Sequence, residues 1–450
     1  MRCTTVKSTR LQLCAVALFA VAIAAVPEPA VSAATESKAL AEMHKQLDAS
    51  LQMIKALAER VRELEAREAT TAAAAPSVTV PAPAVAAAPA AANDARLEAD
   101  EQKLEQLEKE NASRDADDTG LPLHGFADVG AGSHNPINPA FKGFSVGNLD
   151  FYMTPRLGDR TRALFELNTE VSSEGTVDVD LERAQIGYQF DDRATVWMGR
   201  FHTPYGYVNT ALHHGSWINN SLRRPRFLNF EDNGGIVPAH TVGLWLTGSN
   251  RTGSGKVLYD AYVGNSQQIL GGVLDMRNAG NAHGNLSAGG RLGYQFDAGA
   301  AEGLTLGVHA FSSRITDDTP LAGVTRVRVY GGYAVYDTDQ WENIAEIYLF
   351  DDQDLNGTSG TQRSNAGFLQ LGYRAPWGVP YARYERAALS QTDPYFFALE
   401  SGASYHRVAL GARFDLDLKS AVKLELANTR LTDRSRDQYG EGLVQYAIRF

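Results

Sequence analysis

From Leu121 to the end, apolar and polar residues alternate along the chain in short runs. In the last run Phe450, Ile448, Tyr446 and Val444 share one face, and Arg449, Ala447 and Gln445 share the other. Earlier, Ala184, Ile186, Tyr188 and Phe190 oppose Arg183, Gln185, Gly187 and Gln189. Leu369, Leu371 and Tyr373 oppose Gln370, Gly372 and Arg374. Val408, Leu410, Ala412 and Phe414 oppose Arg407, Gly411, Arg413 and Asp415. A period of two is the mark of a strand with one apolar face. The pattern predicts sixteen strands: Leu123–Gly132, Val146–Arg156, Arg162–Val171, Val177–Phe190, Arg193–Phe201, His240–Gly248, Lys256–Asn265, Asn285–Phe296, Leu304–Ser313, Arg326–Tyr336, Trp341–Phe350, Ala366–Arg374, Val379–Ala387, Tyr405–Leu416, Ala421–Arg430 and Gly442–Phe450.

Before Leu121 the period changes. Over 35–69, Leu40, Leu47, Ile54 and Val61 fall on one heptad seam position, and Met43, Ser50, Leu57 and Leu64 on the other. Charged residues surround both, which predicts a coiled-coil helix. The segment 70–92 is rich in Ala, Pro and Val and reads as an extended spacer, and 93–120 as a short helix and linker. Residues 1–34 read as a signal peptide, with Arg2, Lys7 and Arg10 ahead of an apolar run and small residues at 31–34. Cys3 and Cys14 both lie within it, so the expected mature chain has no thiol or disulfide.

No segment after 34 holds the ~18 consecutive apolar residues of a spanning helix. Strands escape that test, because only every second residue meets lipid. The connections alternate between tight turns (158–160, 191–192, 337–339, 375–378, 417–419) and long loops (202–239, 266–284, 390–404, 431–441). Tyr188, Phe190, Tyr294, Phe296, Tyr336, Trp341 and Tyr373 lie near strand ends, where an interfacial girdle belongs. The expected fold is an all-β membrane protein: an antiparallel transmembrane β-barrel of about sixteen strands over 121–450, preceded by a periplasmic α-helical coiled coil. An even strand number places both ends of the barrel on the short-turn side.

Such a barrel encloses an aqueous channel rather than a packed interior. Its selectivity then depends on what narrows it. The longest loop carries Arg223, Arg224 and Arg226, and follows Gly199-Arg200-Phe201-His202-Thr203-Pro204-Tyr205-Gly206. Of the 450 residues, those from Leu121 onward include 25 Arg and four Lys (Lys142, Lys256, Lys419, Lys423). Arginine offers a planar fork for carboxylate and phosphate, so this bias points to anionic solutes; a GC-rich genome would leave the same bias.

The Gly-Arg-Phe-x-x-Pro-Tyr-Gly stretch, the terminal Phe450 and the heptad helix resemble the trimeric outer-membrane porins of Gram-negative bacteria. The likeness is greatest to the phosphate-selective and dicarboxylate-type group. The resemblance implies a homotrimer in outer-membrane lipid, and a third long loop folded into the lumen as a constriction. Strict phosphate selectivity is not implied, since four lysines are fewer than that group's pores carry. The expected solute-binding residues are Arg200, Arg223, Arg224 and Arg226, with inward Arg183, Arg291, Arg326, Arg328, Arg374, Arg383, Arg407 and Arg413. Carboxylates at Glu166, Glu170, Asp260, Glu342, Glu346 and Glu385 would face them across a transverse field, or else pair with them in the wall. Peptidoglycan is a candidate contact of the coiled coil; nucleic acid is not an expected partner.

Other readings carry less. His213-His214 invites a metal, but neighbours on a strand point opposite ways and no third ligand is evident, so no metal or cofactor is expected. Asp352-x-Asp354-x-Asn356-Gly357 begins like a calcium loop, but Arg363 stands where the bidentate Glu belongs. Thr252-Gly253-Ser254-Gly255-Lys256 is a turn rather than a phosphate loop, because Asn250 and Val257 break the motif. An enzyme would need Ser216 beside His213 or His214, and is not expected. The alternative kept open is a plug-less receptor for a siderophore or similar metal chelate.

Overall fold

The computed structural model describes residues 123–133, 143–155, 157–171, 176–213, 216–231, 234–275, 284–318, 323–433 and 437–450. The signal peptide, coiled coil, spacer and short helix expected before Leu121 lie outside the described residues.

The strands are β1 (Leu123–Gly132), β2 (Gly143–Met153), β3 (Thr161–Val171), β4 (Val177–Gln189), β5 (Ala194–His202), β6 (His240–Thr252), β7 (Gly255–Asn265), β8 (Gln268–Leu270), β9 (Val273–Leu274), β10 (Leu286–Phe296), β11 (Leu304–Asp317), β12 (Val324–Asp337), β13 (Trp341–Asp354), β14 (Thr361–Tyr373), β15 (Val379–Ala388), β16 (Tyr405–Asp417), β17 (Ser420–Leu431) and β18 (Gln438–Arg449). Two short helices, α1 (Val208–Ala211) and α2 (Pro394–Ala398), lie in loops. Sixteen of the strands form a closed antiparallel barrel, each paired with its neighbours in sequence. The remaining two, β8 and β9, make a small hairpin in the loop after β7. Every predicted strand is present, and six of them (β2, β11, β12, β13, β14 and β18) run two to five residues further at the long-loop end.

Closure joins the first strand to the last. Phe126 pairs with Arg449 and the register runs to Gly132 opposite Leu443. The Gly125 and Phe450 backbones exchange two hydrogen bonds of 3.0 Å. Among the described residues no barrel strand has an open edge, which is the condition for putting strands in lipid.

Alternation sorts the two faces. Ile186, Met198, Leu244, Leu292, Val308, Leu371, Leu410, Leu426, Val444 and Tyr446 are exposed on the outer surface. At the short-turn end aromatic pairs meet edge to face: Tyr188–Phe190 at 5.1 Å, Tyr294–Phe296 at 4.7 Å and Trp341–Tyr373 at 5.1 Å. A flat amphipathic ring suits the boundary between hydrocarbon and water.

The buried apolar cluster lies inside the barrel. Phe201, Tyr205, Val208, Phe227, Leu228, Ile236 and Val237 come from the start and body of the loop between β5 and β6. Phe311, Val327, Val329, Tyr348, Phe350, Phe368 and Phe396 come from the wall and from α2. The loop thus turns inward and packs on the strands opposite its origin.

The remaining local motifs are structural. Gly253, at φ +60, makes the tight turn between β6 and β7. The Asp354 carboxylate accepts from the Gly357 and Ser359 amides at 2.7 and 3.0 Å, so it caps a hairpin turn.

An in-folded loop and a cationic vestibule as the candidate functional site

The loop 203–239 leaves and re-enters the wall through a narrow neck. The Thr203 amide donates to the Ala239 carbonyl at 2.8 Å. The Asn209 side-chain amide donates to both the Thr203 and Ala239 carbonyls, at 3.0 and 2.9 Å. A short inward turn follows. Gly206 has φ +55, the left-handed region where a side chain is strained. Beyond it the Tyr207 and Val208 amides donate to Glu346 Oε1 at 2.8 and 2.7 Å, and Tyr348 donates to Glu346 Oε2 at 2.5 Å. The Arg291 guanidinium donates to the Gly206 carbonyl at 2.8 Å. The Gly-Arg-Phe-x-x-Pro-Tyr-Gly stretch is therefore the hinge that steers the loop into the lumen.

One prediction follows from this hinge. A Cβ on Gly206 would stand 2.4 Å from both Glu346 Oε2 and the Tyr348 hydroxyl. Gly206→Ala is expected to displace the carboxylate from the two amides and to strain the backbone, costing about 2–4 kcal/mol. Urea unfolding of the barrel in liposomes measures this; a change under ~0.5 kcal/mol would mean the hinge relaxes freely.

The three loop arginines have different tasks. Arg224 is buried and tied within the loop: Nε donates to the Leu228 carbonyl at 2.6 Å and Nη2 to Asn209 Oδ1 at 2.8 Å. Burial pulls its pKa below the usual guanidinium value. Arg223 reaches across to Glu441 Oε1 at 2.6 Å, with its side chain 27% exposed. The Arg226 amide donates to Glu385 Oε2 at 2.7 Å, and its guanidinium to the Tyr439 hydroxyl at 2.7 Å. Arg200, at the end of β5, donates to the Glu182 carbonyl at 3.1 Å.

The wall arginines are mostly paired beside themselves. Arg383 is fully buried, with Nε on Glu385 Oε1 at 2.9 Å and Nη1 on the Arg223 carbonyl at 2.7 Å. Arg407 touches Glu385, Glu425 and Glu441 at 3.7, 3.4 and 2.7 Å. Arg183 bonds Glu166, Arg291 bonds Asp260 at 2.5 Å, and Arg374 bonds Glu342 at 3.0 Å. At these positions the expected rows of opposite charge are neighbours on the wall rather than rows facing each other across it.

Arg326 and Arg328 sit differently from expectation. They share a strand face with exposed Tyr330, while Val327 and Val329 are buried inside. The expectation took the apolar face as outward throughout. Here the lumen is filled by loop side chains, so the apolar face turns inward and the arginines turn out, pairing with Gln353 and Asp351.

At the mouth, α2 closes over the cluster. Asp393 caps α2 by accepting from the Tyr395 amide at 3.0 Å. Burial pushes its carboxyl up to about 6, against the lowering effect of hydrogen bonds from Asp352 and that amide.

At the short-turn end a cavity of ≈ 970 Å³ stays open. Arg374, Arg413, Lys419 and Arg449 line it, against the carboxylates of Glu342 and Asp415. Trp217, from the loop, meets two of these cations: Arg413 lies 4.5 Å and Arg449 5.4 Å from its ring centroid. Among the described residues neither Lys419 nor Arg449 has an ion-pair partner. The expectation named Arg374 and Arg413 here but not Lys419, Arg449 or Trp217. The contacts of both cations with the Trp217 ring join residues 217, 413 and 449, and no local spacing signals them.

A histidine cluster at the loop neck also has no signature in the local sequence. His213 meets His202 and His240, with the rings of His202 and His213 stacked at a centroid distance of 3.4 Å. His213 therefore belongs to the packing of the loop neck.

No protein-family model matches this chain, and no curated protein matches its sequence. Among solved structures it is similar to an anion-selective porin from Comamonas acidovorans, at 15% identity and a TM-score of 0.50, over 73% of this chain and 98% of that one. It also matches a Salmonella typhi OmpF complex with daunomycin, at 13% identity and 0.48, over 73% and 97%. A trimer form of Vibrio cholerae OmpT matches at 11% identity and 0.46, over 73% and 98%. At these identities the likeness is one of fold: the closed sixteen-strand antiparallel barrel of this chain is similar to the barrel of the anion-selective porin.

Proposed function

We propose that this protein is a passive outer-membrane channel for small hydrophilic solutes, favouring small anions such as carboxylates or phosphate. The observation that carries the reading is the loop 203–239 folded across the lumen above an open vestibule with four cations against two carboxylates. Anions concentrate in such a mouth, and apolar solutes are excluded by the cost of stripping water from charged walls. Arg223 and Arg226, on the inward face of the loop, are the proposed contacts at the narrow point, with Arg374 and Arg413 below. The proposal includes a homotrimer, with the N-terminal helix in the periplasm and available to the cell wall, and no catalytic role.

The test is the reversal potential of the refolded protein in a planar bilayer under a salt gradient. Anion preference, steps in groups of three and partial block by added succinate or phosphate are the expected results. Cation preference would overturn the anion assignment. No conductance from a folded barrel would overturn the channel and favour a receptor for a chelate.

A further inference from the structure

At the loop neck four buried side chains from three strands and the loop converge: Glu182 of β4, His202 of β5, His240 of β6 and His213 of the loop. One possible donor atom from each lies within 4.8 Å of the other three. All four residues are at most 5% exposed.

The hydrogen bonds define which ring atoms of His213 and His240 face inward; the His202 ring, stacked on His213, has to turn out of that stack to add the fourth donor. His213 Nδ1 lies 2.8 Å from the Asn209 carbonyl oxygen, which only accepts, so Nδ1 carries the proton. His240 Nδ1 lies 3.1 Å from Glu231 Oε2, again an acceptor. In their neutral forms both imidazoles therefore present bare Nε2 lone pairs. Those two atoms are 2.8 Å apart. Glu182 Oε2 is 2.6 Å from the same His240 nitrogen. Three lone-pair atoms crowd one point and repel unless a positive centre lies between them. A single proton on His240 serves one of these contacts; a metal ion serves all of them.

The surroundings are those of a built site. Glu182 is the extra residue of a β-bulge: Glu166 pairs with Arg183 while Leu167 pairs with Leu181. Bulges re-aim side chains, and this one turns the carboxylate toward the histidines. Glu231 behind His240 and the Asn209 carbonyl behind His213 orient the rings as the outer partners of metal-bound imidazoles do. Glu182 and Glu231 together bring two negative charges to His240, which a dication balances.

We propose that Glu182, His202, His213 and His240 form a buried site for one divalent first-row transition-metal ion of the zinc class, which staples the in-folded loop to the barrel wall. Three imidazoles and one carboxylate, with no thiolate, suit zinc, cobalt, nickel or copper and not calcium or magnesium. Four protein donors leave no open position, so the role is structural. The proposal does not depend on which solute passes.

The experiment uses full-length protein expressed without a histidine tag, refolded, stripped with chelator and then given Zn²⁺ or Co²⁺. The expected result is one metal per chain retained through desalting, and a tetrahedral Co²⁺ visible spectrum. Glu231→Gln should keep the folded barrel, judged by its heat-modifiable gel mobility, and weaken Co²⁺ binding roughly 10- to 100-fold. His213→Ala, on the loop and outside the strand ladder, should abolish the spectrum. If folded wild-type protein takes up no more Zn²⁺ or Co²⁺ than His213→Ala, the proposal fails and the cluster is an imidazolium held between carboxylates.

Discussion

Replacing Arg383 with alanine is expected to release the in-folded loop and to destabilise the protein by about 3–5 kcal/mol, the usual cost of removing one partner from a buried ion pair. This one side chain is fully buried and holds Glu385 Oε1, Gln370 Oε1 and the carbonyls of Arg223 and Arg224. Without it, Glu385 loses its nearest cation in a dry site. Two loop carbonyls also lose their donor at the midpoint of the loop's path across the lumen. Lysine does not substitute, because a point charge on a flexible stem cannot reach several acceptors as a planar fork does. Trypsin offers a direct readout. The bonds after Arg223 and Arg226 are protected by packing in the wild type and become cleavable in the variant, while Pro225 guards the bond after Arg224. Adding Glu385→Gln should recover part of the lost stability, since it removes the stranded charge. A trypsin-resistant loop together with a loss under ~1 kcal/mol would show that Arg383 is not the clamp.

The second large effect is on selectivity. Lys419→Glu with Arg449→Glu changes the vestibule's side-chain balance from two positive to two negative, leaving Arg374 and Arg413 in their pairs with Glu342 and Asp415. Each unit charge about 10 Å from a passing ion contributes roughly 0.4 kcal/mol in water, and about a third of that after screening at 0.1 M salt. Four units of change thus shift the anion-to-cation permeability ratio by about threefold to tenfold toward cations. The shift should shrink at 1 M salt, where screening is nearly complete over the same distance. Both side chains are exposed, so the barrel should fold normally, at the cost of the Arg449 contact with Trp217 of the loop. A ratio unchanged at 0.1 M salt would place the selectivity step elsewhere, at the loop.

The division of labour among the arginines explains why so polar a lumen is stable. Buried charges require partners and saturated hydrogen bonds. Here the partners are provided locally, by Glu385, Glu425 and Glu441 around Arg383 and Arg407. The loop backbone takes the donors left over. The arginine-rich interior thus acts first as the cement between loop and wall. The vestibule cations Lys419 and Arg449 are exposed at the short-turn end, where water supplies the solvation that pairing supplies above.

The sequence by itself determined the wall. A period of two sorts the residues onto two faces, and a one-residue slip would turn Leu369, Leu371 and Tyr373 over all at once, so the facing of most strands is legible from the alternation. The alternation of turn lengths followed from the same pattern, as did the even strand number and the position of the long loop after the fifth strand. Tertiary structure decided what fills the barrel. Parity assigns a side chain to a face but does not say what stands opposite it. Arg326 and Arg328 read as lumen residues until loop side chains make the inner face apolar at Val327 and Val329. Arg383 and Arg407 read as pore lining, yet distant carbonyls and carboxylates bury them. The cluster of residues 182, 202, 213 and 240 has no local signature at all. A bulge, two strand ends and a loop bring it together, and such long-range closure is set by packing rather than by any pattern of neighbours along the chain.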